Sequence, residues 1–267
     1  MRRVITPLVF AAMTCLAGCH VHHAALLPSP LTASPKAIDS LWNAALDLYA
    51  HQKWEKAGVA FDRAELELPL GDHRTLLGRL YLGDIYMHSN DELEAVREYR
   101  RLSDDYPSDS LSAVALLHAG DAYFKLWRRP ELDPTYGYNA QATYTELLNR
   151  YPGTPAAADA TKRVADLNNW FAEKQYKNGV MYLKWKAYDS AVLYFKDIAA
   201  TWPQAKVVPD AVLGLIQAYT KLGYLEDVRD MCDYLRKQYP STPQLATRCK
   251  AAPAAATTPA PAKPKGP

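Results

Sequence analysis

Between residues 36 and 245 apolar side chains recur at helical spacing, and the runs share one ending: a large apolar residue followed by proline. Tyr106-Pro107, Tyr151-Pro152, Trp202-Pro203 and Tyr239-Pro240 carry it, and Leu68-Pro69 occupies the equivalent place earlier in the chain. Twelve residues before each proline stand Ala57, Ala95, Ala140, Ala191 and Val228; eight before stand Phe61, Tyr99, Tyr144, Phe195 and Cys232. Twenty-four before, in the uninterrupted segments, are Ala45, Gly83 and Gly179, each followed three residues later by Leu48, Tyr86 or Tyr182. Gly120 and Tyr123 are the corresponding pair in the third segment.

A small residue lets two helices approach closely. An aromatic four residues after the alanine lies on the same helical face and fills the gap beneath. Proline then stops the second helix, since it lacks the N–H for the next hydrogen bond and clashes with the preceding turn. Five such units in register are the tetratricopeptide pattern, two antiparallel helices (A and B) in about 34 residues. The fold expected is an all-α tetratricopeptide-repeat solenoid of five helix pairs spanning 36–250.

Two units depart from the ideal length. In the third, LWRRPELDPTYGYN separates the A helix from Ala140, and Pro130, Pro134 and Gly137 mark a long inter-helix loop. In the fourth, no proline and one glycine interrupt the chain between Pro155 and Leu183. Ala160, Val164, Leu167 and Phe171 make one apolar stripe there, with Asp159–Arg163, Lys162–Asp166 and Glu173–Lys177 as i,i+4 pairs. One helix of roughly 28 residues, about 42 Å long, is expected. Its stripe outruns a single repeat, so it should pack on the third repeat and join two halves.

The N-terminus changes the picture. MRRVITPLVFAAMTCLAGCHVHH places Cys15, Cys19, His20, His22 and His23 together, residue types that bind zinc. But Arg2 and Arg3 precede a short apolar run, and Leu16-Ala17-Gly18-Cys19 follows, the layout of a bacterial secretory signal ending in a lipobox. Residues 1–18 are then a signal peptide, Cys19 carries lipid, and residues 19–35 are a tether with Pro28, Pro30 and Pro35. No metal site or cofactor is expected, because Cys15 is lost and Cys19 is acylated. By resemblance to sorted bacterial lipoproteins, in which an aspartate at this place favours inner-membrane retention, His20 implies the periplasmic face of the outer membrane. Removing Arg2 and Arg3 from 31 basic side chains leaves 29 against 29 acidic ones, so charge does not draw the chain to nucleic acid. Residues 251–267, AAPAAATTPAPAKPKGP, are low complexity and expected to be disordered.

Catalytic motifs are missing: there is no GxxxxGK, HExxH or GxSxG, and His51, His73, His88 and His118 are scattered as surface or helix-end residues. A binding protein, not an enzyme, is expected. Solenoids bind on the concave face, lined here by the A helices. Counting from the small residues gives Trp42, Leu46, Tyr49, Asp84, Met87, Asp121 and Phe124 as candidates for holding an extended peptide, although Trp42 and Leu80 equally suit packing between repeats. Cys232 and Cys249 remain in the mature chain, and an oxidising periplasm permits a bridge between them. A short helix in STPQLATRCK could fold back as a cap, or one thiol could be buried and the other exposed.

The lipobox, Pro-containing tether, five repeats, extended third loop and long fourth A helix together resemble the BamD family, lipoproteins of the outer-membrane β-barrel assembly machine. YPGTPAAADATKRVADLNNWFAEKQYKNGVMYLKWKAYDSAVLYFKDIAATWP is similar to the family's junction between third and fourth repeats, and RRPELDPTYG to the loop before it. The resemblance implies docking on a BamA-type outer-membrane barrel protein and receipt of unfolded β-barrel proteins. Lys184, Trp185 and Tyr194 are the implied partner-interface candidates; Tyr194 stands where relatives often use a basic residue. The competing expectation is a periplasmic tetratricopeptide lipoprotein that serves peptidoglycan or envelope machinery.

Overall fold

The computed structural model describes residues 34–249. Five antiparallel pairs follow one another: α1 (Pro35–Ala50) with α2 (Trp54–Glu67), α3 (Arg74–Ser89) with α4 (Glu92–Asp105), α5 (Ser110–Leu126) with α6 (Thr135–Arg150), α7 (Pro155–Lys184) with α8 (Tyr188–Thr201), and α9 (Val208–Leu222) with α10 (Leu225–Gln238). A four-residue α11 (Leu245–Arg248) closes the C-terminal end. Among the described residues there is no strand, and the fold is the all-α repeat solenoid. Cys19, most of the tether and the Ala/Pro-rich tail lie outside the described residues.

The helix ends follow from local chemistry. Leu68, Tyr106, Tyr151, Trp202 and Tyr239 are the C-caps of the five B helices, each immediately followed by proline. Ser34, Asp109 and Thr154 cap α1, α5 and α7 by accepting a backbone N–H from the first turn. The four short A-to-B turns reverse through one left-handed residue: Gln52, Asn90, Lys186 or Gly223. Only the last of these is the glycine that such a backbone favours.

Packing depends on small residues facing rings. A methyl group built on Gly83 would sit 2.3 Å from the Tyr99 ring, and one on Gly120 would sit 2.3 Å from Tyr144. Phe195 is gripped from two sides, by Gly179 of α7 and Gly214 of α9. In the first pair, buried Ala45 and Phe61 occupy the same places. Each ring is a fully buried plug that only a nearly side-chain-free partner can admit.

The third loop is shorter than its composition indicates. It occupies Trp127–Pro134, and Thr135–Asn139 already belongs to α6. Asp133 accepts the Thr135 N–H at 2.9 Å and starts the helix, while Trp127 is buried against Gly137. Helix α7 has 30 residues, hence a length of about 45 Å. Its first half packs on α5, where Trp170 meets Phe124 edge-on at 5.1 Å. In its second half Tyr176, Val180 and Leu183 join the core formed with α8 and α9. Its Lys174 donates to the carbonyl of Leu132, and its Lys177 pairs with Glu131, so the same helix holds the third loop in place. Burial of one helix in two neighbouring cores makes the two halves one continuous structure.

Candidate functional site

Asp84 and Asp121 each follow a plug-facing glycine, which places their carboxylates over the edge of the ring. Tyr99 donates its hydroxyl to Asp84 at 2.6 Å, and Tyr144 donates to Asp121 at 2.6 Å. Asp84 also accepts from Tyr49 at 3.2 Å and lies 3.3 Å from His118 Nδ1. Burial pushes the Asp84 carboxyl up, but the hydrogen bonds from His118, Tyr99 and Tyr49 outweigh it, so the group lies below the usual carboxylate range. Burial and the neighbouring carboxylate push Tyr49 up to about 12, and Tyr99 and Tyr144 are raised by the same two causes. Arg163 of α7 completes the second cluster by donating from Nε to Asp121 at 2.9 Å. These carboxylates are therefore satisfied inside the fold. They pin the plugs and tie α3, α5 and α7 together, and they are not free peptide-binding acids.

Sequence spacing groups seven residues; the structure separates them. Trp42 is only 7% exposed, edge-on to Phe61 at 5.3 Å and resting on Gly78, so it is a core residue and leaves the groove set. Leu46 and Tyr49 are half-buried against the same core, and Tyr49 packs on Trp54 and Tyr81. Met87, Asp121 and Phe124 do meet. They line a groove of about 510 Å³ together with Lys125, Trp127, Arg128, Arg163 and Trp170.

The last five escaped a count made within single repeats. Trp127 and Arg128 come from the inter-helix loop. Arg163 and Trp170 come from the next A helix, whose extra length lays it across α5. The groove floor is Met87, Phe124 and Trp170, and its rim is cationic. Two of the cations are balanced: Arg163 by Asp121, and Lys125 by Glu92 at 3.1 Å. Arg128 is exposed and makes no ion pair among the described residues. The site can therefore take an extended apolar segment that carries one negative charge. His118 also departs from expectation, since it sits in mid-helix and faces Asp84.

A second surface lies where α7 hands over to α8. Tyr182 stacks on Tyr194 at 5.1 Å and meets Trp185 edge-on at 5.7 Å. Trp185 is 66% exposed and Leu193 70%. Trp185 and Tyr194 thus share one aromatic patch with Tyr182, whereas Lys184 lines a neighbouring cavity with Val180, Phe195 and Asp210. At the C-terminal end Cys232, in the plug position of the fifth pair, is bonded to Cys249 beyond α11. Leu245 packs on the same core, so the staple covers the outer face of the last described pair.

Among the described residues no helix is long and apolar enough to cross a membrane, and no cluster of side chains is suited to a metal ion. The TPR2AB domain of yeast Sti1, solved as a complex with pHSP90, aligns with 14% identity and a TM-score of 0.42 over 81% of this chain and 83% of its own. A Xylella fastidiosa protein named outer membrane protein assembly factor BamD is 28% identical over 201 residues, 70% of this chain and 67% of its own length. The BamD of Neisseria meningitidis serogroup A is 24% identical over 221 residues, 78% of this chain and 82% of the relative. The BamD of Caulobacter vibrioides is 23% identical over 201 residues, and the match spans 65% of its length. The model of the YfiO family, described as outer membrane lipoprotein, matches residues 35–247, nearly the whole described solenoid. The chain belongs to the YfiO outer membrane lipoprotein family.

Proposed function

We propose that this protein is a non-enzymatic scaffold in the assembly of outer-membrane β-barrel proteins, held at the periplasmic face of the outer membrane by lipid on Cys19. It docks on a BamA-type barrel protein through the patch of Trp185 and Tyr194, with the adjoining Lys184 as a further contact, and it receives unfolded barrel strands in the groove of Met87, Phe124 and Trp170. The observation that carries this is the groove itself: an aromatic floor beside Arg128, which makes no ion pair among the described residues. A transmembrane β-strand alternates apolar and polar residues and places aromatics near its ends. The last strand of a barrel protein adds a terminal carboxylate. Its apolar side chain suits Phe124 and Trp170, and its carboxylate suits Arg128. The names of the relatives support the assembly role, and the exposed aromatic patch supports docking on a protein.

The test is binding of a peptide copied from the C-terminal strand of a barrel protein, as free acid and as amide, to the wild-type chain and to Arg128→Gln. An exposed ion pair contributes up to ~1 kcal/mol, so amidation should weaken wild-type binding about five-fold and leave Arg128→Gln unaffected. Equal affinity of the two peptides for the wild-type chain would remove Arg128 from the site.

A further inference from the structure

We propose that the turn between the first two repeats is a membrane-contact surface, with Leu66 and Leu70 resting in the lipid interface beside the acylated N-terminus. This rests on Cys19 bearing the lipid. Leu66 is 86% exposed and Leu70 106%, the two most exposed large apolar side chains of the described solenoid. Leu68, between them, turns inward onto the Trp42–Phe61 core. The turn is braced. Gly71 reverses it at φ +81°, Asp72 accepts the Arg74 backbone N–H at 2.9 Å, and the Arg74 guanidinium lies 2.7 Å from Asp72 and 2.8 Å from Asp39 of α1. Leu70 is therefore held outward by a fixed frame.

The occupant follows from where the chain enters. Helices α1 and α2 are antiparallel, and the Arg74–Asp39 contact places the turn beside the start of α1. The segment that leads from Cys19 arrives at Ser34, fifteen residues on. At ~3.3–3.6 Å per residue it reaches no farther than about 50 Å. A lipid-anchored tether thus keeps this end near the bilayer at an effective concentration of order millimolar, so a contact too weak to recruit a free protein is populated. At the turn Asp72 is paired with Arg74, and Leu66 and Leu70 are the exposed large apolar side chains, so the attraction is apolar and not ionic. The aromatic patch around Trp185 follows the C-terminal end of an A helix, on the opposite edge of the solenoid, so lipid contact leaves it free for a protein partner.

The test uses the full-length acylated lipoprotein in vesicles of phosphatidylethanolamine and phosphatidylglycerol. With Cys19 acylated and Cys232 bonded to Cys249, Leu70→Cys supplies the single free thiol for a nitrobenzoxadiazole dye. The expected result is a blue-shifted emission, quenched by nitroxide lipids and insensitive to salt, while the dye at Leu193→Cys stays water-like. Vesicle flotation is read on the same samples. A chain that floats with a water-like dye at position 70 overturns this proposal alone. A chain that does not float overturns the acylation on which it rests. A blue shift without vesicles that grows with protein concentration overturns it in favour of a second copy covering the turn.

Discussion

Replacing Gly83 by alanine adds one methyl group and tests how the plugs are held. The new Cβ would lie 2.3 Å from the Tyr99 ring, so the ring must retreat by more than about 1 Å to reach ordinary contact. Tyr99 is not free to do so. It is fully buried, and its hydroxyl donates to Asp84 at 2.6 Å. Overpacking of this kind costs about 1–3 kcal/mol, and loss of a hydrogen bond to a charged acceptor costs about 1.5–3. The gain in helix propensity returns about 1 kcal/mol. The net loss is about 1.5–5 kcal/mol, or roughly 3–20 °C in Tm for a domain of this size. Gly58→Ala is the control: its Cβ would meet Ile85 at 3.8 Å, an ordinary contact, so the same change should stabilise by up to about 1 kcal/mol. Ala45 faces Phe61 at the equivalent place in the first pair, and Phe61 has no hydroxyl to pin it. Gly83→Ala combined with Tyr99→Phe should therefore lose less than the sum of the single changes, by about 1–2 kcal/mol. Thermal and urea unfolding of the four chains followed by circular dichroism would read this. A stabilised Gly83→Ala, or a cycle additive within ~0.5 kcal/mol, would refute the pinned-plug account.

Asp84 is held below its ordinary pKa, so the folded state binds its proton less readily than the unfolded chain does. Its contribution is present above about pH 4 and is lost as pH falls through the folded value; Asp84→Asn should flatten that acid limb in urea titrations taken at successive pH values. Phe124→Ala should weaken binding of a barrel-strand peptide by about 2 kcal/mol and, by losing the Trp170 contact, cost about 1 kcal/mol of stability, whereas Trp42→Ala should cost about 3–5 kcal/mol of stability, which calorimetry and peptide titration separate. The Cys232–Cys249 bond closes a separation of 17 residues, so reduction should remove roughly 3 kcal/mol, and hydrogen exchange should accelerate in α9, α10 and α11 but not in α1–α4. Unreduced protein treated with an alkylating agent should show no modified Cys232 or Cys249 by mass spectrometry.

The repeat could be read from the sequence because its determinants are local. Proline after Tyr106, Tyr151, Trp202 and Tyr239 ends a helix whatever surrounds it, and a small residue spaced from a ring marks a pair of helices that must touch. The length of α7 was equally legible, since an unbroken apolar stripe without proline has no local reason to stop. Periodicity places a residue on a face of its own helix but does not say what the neighbouring helix lays over that face. Trp42 and Phe124 occupy comparable faces of α1 and α5, yet Trp42 is buried by Phe61 and Tyr81 while Phe124 borders an open groove. Asp84 and Asp121 read as groove acids because the hydroxyls that satisfy them lie on other helices, 15 and 23 residues away. Arg128 and Trp170 enter the groove only because the third loop and the overlong α7 fold against α5. Helix identity is set by neighbours within a few residues in the chain, and so by sequence. The groove is set by side chains dozens of residues apart, and only the tertiary packing of α3, α5 and α7 decides which of them meet.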